Sequence, residues 1–464
     1  MKKGTELELE IERFADRGKS VARTDGFVVF VPGGVPGDRV RARVIRKKRK
    51  YAEARVIDLL SASDLRSEPR CAHFGTCGGC QWQHVDYRVQ SDAKRQSVVD
   101  AFGRIAGLDD LEVEPTLEAE NTYGYRNKME FSFSAARWLT EEEIASGDAL
   151  DRSFALGLHV PGNFEKVLDL RECHLMGEWV SRLLNSIREI ATSSGWDAWN
   201  VRTHEGYLRH LVVRASEAEN EAMVNLVVSS RDDEREAAVA ALLMEQFPEV
   251  STFIVTLNRS PSQTAYGRNR TIFGSGVIHD RIGDLRFRIA PESFFQTNTQ
   301  QAGRLYDCVV EMADFSASDR VFDLYCGTGS IALYVARHVS SVVGVELFRE
   351  SVRAARTNAA ENGIANALFE IGDVTDLIGP LVEKHGAPDI VIVDPPRPGL
   401  HPKAMAALGS LAPGRIVYVS CNPQTMARDI GMLGDAYRVD RVRPVDMFPH
   451  TYHIEAVARL TRKA

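Results

Sequence analysis

With 464 residues, 44% of them hydrophobic, the chain has material for roughly two to four globular domains. Residues 1–14 lack the apolar stretch of a signal peptide, and no uncharged apolar run is long enough to span a bilayer, so the cytoplasm is the expected compartment and no membrane partner is expected. Seven cysteines, at 71, 77, 80, 173, 308, 326 and 421, are too few and too unevenly spread for a disulfide framework, and in a reducing compartment they point to metal binding or catalysis.

The net charge of −7 hides an asymmetry: residues 1–60 carry 15 Lys/Arg against 9 Asp/Glu, which leaves −13 on the other 404. This segment reads as short strands over 7–11, 27–31 and 39–45, punctuated by Asp25-Gly26 and Pro32-Gly33-Gly34, the pattern of a small antiparallel barrel spanning 1–62. The third strand runs into Arg46-Lys47-Lys48-Arg49-Lys50 and Tyr51. Nine basic side chains stand between 39 and 55 against Glu53 alone. A cationic ridge beside an aromatic suits a phosphate backbone; a solvated edge strand guarded by Lys and Arg is the other explanation. The segment resembles a TRAM domain, a small β-barrel that delivers RNA to modification enzymes.

Cys71-x5-Cys77-x2-Cys80 follows, with Gly75, Gly78 and Gly79 letting the backbone fold tightly round a metal centre. Three thiolates need a fourth ligand, for which Cys173 is the best candidate. Spacing does not separate a [4Fe-4S] cluster from zinc, and His73, His84 or His174 would each serve in place of Cys173 in a zinc site. Residues 86–107 read as a helix ended by Gly107, able to pack on another domain. From Tyr123 to about residue 290, alternating runs such as 207–214 and 222–228 predict a second, mostly β domain with a covering helix near 233–246. Tyr125, Arg126 and Lys128 are candidate RNA contacts, and 137–151 reads as an insertion.

The last third alternates strand and helix. A strand over 320–324, a glycine loop over 325–329 and a helix over 330–337 precede a strand ending in Glu346, about twenty residues past the glycines, where a carboxylate accepts the ribose hydroxyls of a nucleoside. A helix over 348–361, closed by Asn362-Gly363, leads to Asp373, placed to meet an adenine amino group, and a strand from 389 ends in Asp394-Pro395-Pro396-Arg397 at the mouth of the crevice. No phosphate-clamping lysine follows the loop, which excludes a P-loop. Strand-end acids in series favour S-adenosylmethionine over a dinucleotide. The strand over 415–420 empties into Ser420-Cys421-Asn422-Pro423, where the thiol is better placed to attack than to pack, a buried and inert cysteine being the alternative.

Over its whole length the chain resembles the bacterial 5-methyluridine RNA methyltransferases of the TRAM plus iron-sulfur type. The resemblance rests on Cys71, Cys77, Cys80 and Cys173, Ser293-Phe-Phe-Gln-Thr-Asn298, Asp323-Leu-Tyr-Cys-Gly-Thr-Gly329, Asp394-Pro-Pro-Arg397, Ser420-Cys-Asn-Pro423 and 447–455, Met-Phe-Pro-His-Thr-Tyr-His-Ile-Glu. It implies an α/β fold: a Rossmann-like class I S-adenosylmethionine-dependent methyltransferase domain over 291–464, preceded by the TRAM/OB-like barrel and a mostly β iron-sulfur middle domain over 63–290. It further implies Cys421 as nucleophile and Glu455 as base. Gln296, Tyr325, Gly327, Glu346, Asp373 and Asp394 would line the cofactor and uracil crevice, and a [4Fe-4S] cluster would sit on the four cysteines. The implied partner is a structured RNA, ribosomal ahead of transfer RNA, met by a monomer.

The chemistry explains the pair. Carbon 5 of uracil is a poor nucleophile until a thiolate adds at carbon 6, and a base must then take the carbon 5 proton before the thiol can leave. The target base has to leave its stack to reach both groups. Without the resemblance, Glu455 reads equally as a solvated carboxylate, and Cys326 beside the glycine loop is a competing thiol. An N-methyltransferase would leave Cys421 without a task, with Arg397 where an aromatic usually follows the prolines. A non-catalytic iron-sulfur RNA-binding protein would need neither Glu346 nor Glu455.

Overall fold

The computed structural model describes all of residues 1–464. Glu6–Phe14, Lys19–Thr24, Phe27–Pro32, Tyr51–Ser61 and Arg39–Lys47 close into a five-stranded barrel in that order. Leu9 and Ile11 alternate with Glu8, Glu10 and Glu12, so one face of the first strand joins Val29, Val31, Val40 and Val44 in a dry core. Asp25 and Gly26 turn with φ of 49° and 74°, the left-handed pair that a tight two-residue hairpin needs. Two strands, Lys19–Thr24 and Tyr51–Ser61, escape the sequence reading because charge interrupts their apolar alternation.

The barrel also divides the basic ridge. Arg39, Arg41 and Arg43 point outward and pair with Glu8, Asp58 and Glu6, and Arg55 pairs with Glu141. Arg46 to Lys50 form no ion pair and lie at the exposed end of the Arg39–Lys47 strand and in the turn beyond it. The free cations are therefore five at one tip rather than nine along an edge.

Eight strands form a mixed sheet in the order Arg268–Phe273, Thr252–Leu257, Glu221–Val228, Leu208–Ser216, Lys128–Ser134, Ala155–His159, Val167–Asp169, Arg137–Trp138. Asp233–Gln246 covers it as expected, and so does Glu178–Ser193, a helix absent from the sequence reading although Val180, Leu183, Leu184, Ile187 and Ala191 recur at helical spacing and are buried. The stretch 137–151 holds a two-residue strand and the helix Glu141–Ser146, started by a capping box of Thr140 and Glu143.

The third sheet runs Ala367–Ile371, Ser341–Glu346, Arg320–Leu324, Ile390–Val393, Arg415–Ser420, Glu455–Arg462, Tyr437–Val445. The first five strands are parallel, and Glu455–Arg462 inserts antiparallel beside Arg415–Ser420. Strand order reverses between Arg320–Leu324 and Ile390–Val393, and at such a switch point the helices leave to opposite faces and open a crevice beyond the carboxyl ends. The helix Tyr87–Ala101, capped by Asp86 and continued by one wide turn to Gly107, packs Val98, Ala101 and Phe102 into this sheet's core. The hairpin Ile278–Ile282 and Leu285–Ile289 does the same from the other face. Both lie inside the segment 63–290 yet share the core of the last third. No helix is long and apolar enough to cross a membrane.

Candidate active site

Register puts the chemistry in one row. Leu324 pairs with Val345 and with Val393, so Tyr325, Glu346 and Asp394 are the next residues at the ends of three adjacent strands. One strand over, Ser420 pairs with Ala456 as the last rung of an antiparallel ladder, and the next residue on each side is Cys421 and Glu455. The turn that carries Cys421 is tied by its neighbours: Ser420 Oγ accepts from Asn422 N at 3.1 Å, and Asn422 Oδ1 caps the helix Pro423–Leu433 by accepting from Gln424 N at 3.1 Å. Asn422 Nδ2 and Thr425 Oγ1 both donate to Arg397 O at 3.2 Å, which clasps the Asp394-Pro-Pro-Arg397 turn against the cysteine turn.

Electrostatics reports the same proximity. Burial, and after it the carboxyls of Glu455 and Asp394, push the Cys421 thiol up to about 11, with Arg397 opposing them. Glu455 is buried, and desolvation together with Asp394 raises its carboxyl well above the usual range. Asp394, half-buried at the crevice mouth, is pushed up to about 7 by desolvation. Cys421 opens on the other side into a cleft of about 860 Å³ bounded by the barrel, the helix Tyr87–Ala101 and the turn Tyr452–Ile454, with Phe14, Phe30, Arg17, Arg104 and His453 among its walls.

At the glycine loop, Glu346 Oε2 accepts from Gly327 N at 3.1 Å and its Oε1 from Phe348 N at 2.9 Å, so the carboxylate is fixed under the loop. Tyr325, Gly327 and Gly329 hold φ of 69°, 55° and 79°, and the space beside the Gly327 α-carbon is open. Asp373 is exposed and caps the helix Val374–His385 by accepting from Thr375 N and Oγ1 at 2.8 and 2.6 Å, bonds that lower its carboxyl. Gln296 lies in a loop joined to this one by Thr328 Oγ1 donating to Phe294 O at 3.2 Å.

Asp323 was not among the expected site residues. It is wholly buried, neither carboxylate oxygen has a hydrogen-bonding side chain, and desolvation, then Asp394, raise it well above the usual range. A carboxylate inside the apolar run Val321-Phe322-Asp323-Leu324 was the signal that could have singled it out. Asp323, Glu346 and Asp394 crowd three carboxyls at the crevice, and the raised pair would ionise more readily beside a cation, which suits a ligand such as S-adenosylmethionine with its sulfonium and ammonium. Cys326, the competing thiol, packs into the core against Gly344, where an added β-carbon would lie 2.9 Å from its sulfur. Tyr125 is also buried and donates to Pro449 O, which removes it from the candidate RNA contacts.

Cys71, Cys77, Cys80 and Cys173 line one small cavity with His73, His174 and Glu172. All four thiols are free. Burial first, and then the thiols of Cys173, Cys80 and Cys71, push Cys77 up to about 12. No three His, Cys, Asp or Glu side chains are grouped as a single metal ion requires. His84 turns away to Gly33 O at 3.1 Å, so it is not available as the fourth ligand.

Residues 212–371 and 381–463 match the family described as tRNA (Uracil-5-)-methyltransferase, and residues 1–57 match the TRAM domain. An uncharacterized RNA methyltransferase of Chlorobaculum tepidum is 43% identical over 99% of this chain and 97% of its own, and one of Porphyromonas gingivalis is 42% identical over 98% and 99%. The crystal structure of Pyrococcus abyssi tRNA (uracil-54, C5)-methyltransferase in complex with S-adenosyl-L-homocysteine is similar at a TM-score of 0.76 and 29% identity, covering 98% of this chain and 100% of that one. With its barrel, its strand order and these relatives, the chain belongs to the RNA uracil-5-methyltransferase family with a TRAM domain and is an S-adenosylmethionine-dependent RNA methyltransferase.

Proposed function

We propose that the protein methylates carbon 5 of a uridine in a structured RNA through a covalent adduct on Cys421, with Glu455 as the base that completes the cycle. The observation that carries this reading is the antiparallel register whose last rung, Ser420 with Ala456, leaves Cys421 and Glu455 as the adjoining residues at the edge of the cofactor crevice. Bound S-adenosylmethionine supplies an electrophilic methyl group. Glu346 and Asp373 would hold its ribose and adenine, Gly327 and Tyr325 its backbone side, and Asp394 and Gln296 the mouth shared with the uracil.

In the protein's own terms, Cys421 gives up its thiol proton to water in the cleft, the thiolate sulfur forms a bond to carbon 6, and the electron pair of the ring double bond moves to make carbon 5 nucleophilic. Once carbon 5 is methylated, Glu455 takes its proton, that C–H pair restores the double bond, and the carbon–sulfur pair departs with Cys421. RNA would enter by the cleft between the barrel and the Tyr87–Ala101 helix, since that is where the thiol opens, with the five free cations at 46–50 on the barrel tip for phosphates.

A [4Fe-4S] cluster on Cys71, Cys77, Cys80 and Cys173 belongs to the same proposal. What supports it is four free, mutually perturbing thiols on one cavity, with His84 turned away. The sequence reading ranks ribosomal above transfer RNA, whereas the similar Pyrococcus abyssi protein is a tRNA (uracil-54, C5)-methyltransferase. Mapping 5-methyluridine in both RNA pools of a deletion strain separates the two.

The mechanism is tested with a Glu455→Gln protein. It should add, methylate and then stall, so a species joined to RNA through Cys421 and carrying one transferred methyl survives denaturing electrophoresis. Cys421→Ala should form none. An adduct in Cys421→Ala, or normal turnover in Glu455→Gln, overturns the assignment.

A further inference from the structure

The loop 446–454 delivers Glu455, and its backbone is held from four directions. Met447 O accepts from Asn298 Nδ2 at 3.1 Å, Phe448 O from Lys94 Nζ at 3.1 Å, and Pro449 O from the Tyr125 hydroxyl at 3.1 Å. His450 O accepts from the backbone N–H groups of Gln81 and Trp82, both at 2.9 Å. Four successive carbonyls are thus fixed by four separate stretches of chain. His450 itself holds φ of 64°, a left-handed conformation that a side-chain-bearing residue keeps only where its surroundings enforce it.

Two side chains of the helix Tyr87–Ala101 do most of that enforcing. Gln90 Oε1 accepts from His450 N at 2.9 Å, while its amide donates to Trp82 O and Val85 O at 3.0 and 2.9 Å, which fixes which way the amide faces. Lys94 Nζ donates to Asp446 Oδ1 at 2.6 Å as well as to Phe448 O, and neither charged side chain has any exposed surface. Asp446 in turn accepts from Phe448 N and from the Tyr87 hydroxyl. A buried ion pair is a poor device for stability, since apolar groups of the same volume serve as well or better, but it does specify one arrangement over its competitors. Here the arrangement specified is that of the loop ahead of the base.

We propose that Lys94 and Gln90 are positioning residues for proton removal: they hold the loop so that the Glu455 carboxylate meets the carbon 5 proton. The inference rests on the reading of Glu455 as base. It concerns the second half of the cycle alone, in which the proton goes to Glu455, its electron pair restores the ring double bond, and the Cys421 thiolate leaves. Addition and methylation depend on the Ser420–Pro423 turn, which is tied by Ser420 and Asn422 and not by this loop.

The test compares Gln90→Leu, and Lys94→Met combined with Asp446→Asn so that no charge is left unpaired, with the wild-type protein on RNA containing the target uridine. Single-turnover methyl incorporation at saturating RNA should stay as in wild type. Release of methylated RNA from the denaturation-stable adduct should slow by about 10²-fold, the loss expected of a catalytic group misplaced by about an ångström. A rate loss spread equally over methyl incorporation and release is a general lesion and overturns the proposal, as does release at the wild-type rate. Gln90→Leu removes no charge and decides the matter if the double variant fails to fold. Glu455→Gln is run beside them. If it accumulates no adduct, the base assignment falls; if it does and both loop variants release normally, the positioning role alone falls.

Discussion

The closeness of Cys421 and Glu455 can be tested without RNA or cofactor. Burial and two neighbouring carboxyls push the thiol from its ordinary 9.0 up to about 11. Below its midpoint a thiolate becomes tenfold scarcer with each pH unit, so at pH 8 Cys421 should be alkylated roughly a hundredfold more slowly than an unperturbed thiol. In Glu455→Gln a negative charge opposite the sulfur is lost, the thiolate is favoured, and the midpoint should fall by up to about one unit, burial remaining as the larger cause. Arg397→Gln should move it the other way, because the guanidinium is what opposes the two carboxyls. The assay is pulsed iodoacetamide labelling between pH 7 and about 10.5, resolved by peptide mass so that Cys421 is read apart from the six other thiols. A wild-type midpoint near 9 would refute the buried setting of the thiol. Equal midpoints in wild type and Glu455→Gln would mean that the carboxylate does not face the sulfur, and the pairing of nucleophile with base would fall with it.

Replacing Arg46, Lys47, Lys48, Arg49 and Lys50 with serine should weaken RNA binding and reduce its salt slope by about 0.7 for each phosphate no longer neutralised, at most about three to four over the five, with cofactor binding intact. An unchanged slope would return that tip to a solvated edge. Anaerobically purified protein should be brown with about four irons per chain; stoichiometric zinc without iron would overturn the cluster, and full iron in Cys173→Ser would overturn the fourth ligand. Asp394→Asn should stabilise the protein increasingly as pH rises. Because the folded carboxyl is raised to about 7, its contribution is fully present below the unfolded value near 4 and is lost as pH climbs through 7. The gap can reach at most about 4 kcal/mol, and less since the side chain opens onto the crevice. Urea unfolding at pH 5 and pH 8 that shows the same difference between the two proteins would refute this.

The last third was the most legible because its signals are local. A fully buried parallel strand must be an unbroken apolar run, so 320–324, 341–345, 389–394 and 415–420 announce themselves, and the crevice lies at their carboxyl ends whatever the connections do. Cys421, Glu346, Asp373 and Asp394 follow directly from that rule. Their partners do not. That Glu455 stands opposite Cys421 depends on the final strand inserting antiparallel between two others, a pairing between positions 34 residues apart that no local pattern encodes. The barrel shows the same limit from the other side: Arg39, Arg41 and Arg43 read as free cations in one dimension, and only the pairing with Glu6, Glu8 and Asp58 neutralises them.

Lys94 was the least legible of all. On sequence it is one more lysine on a polar helix, and its burial exists only because that helix, drawn in by Val98, Ala101 and Phe102, leaves its barrel neighbours to pack on the far sheet. Asp323 lies between the two cases, a charge visible inside an apolar strand but whose meaning depends on the nearby Glu346 and Asp394. The sequence by itself determined the parallel strands of the last third, the crevice at their ends and the side chains there that could react, because propensity, periodicity and strand-end position are properties of neighbours along the chain. Tertiary structure alone decided which reactive group faces which, since burial and opposing charge are set by residues brought together from tens to hundreds of positions apart, and those are what tune a thiol, a base and the loop between them.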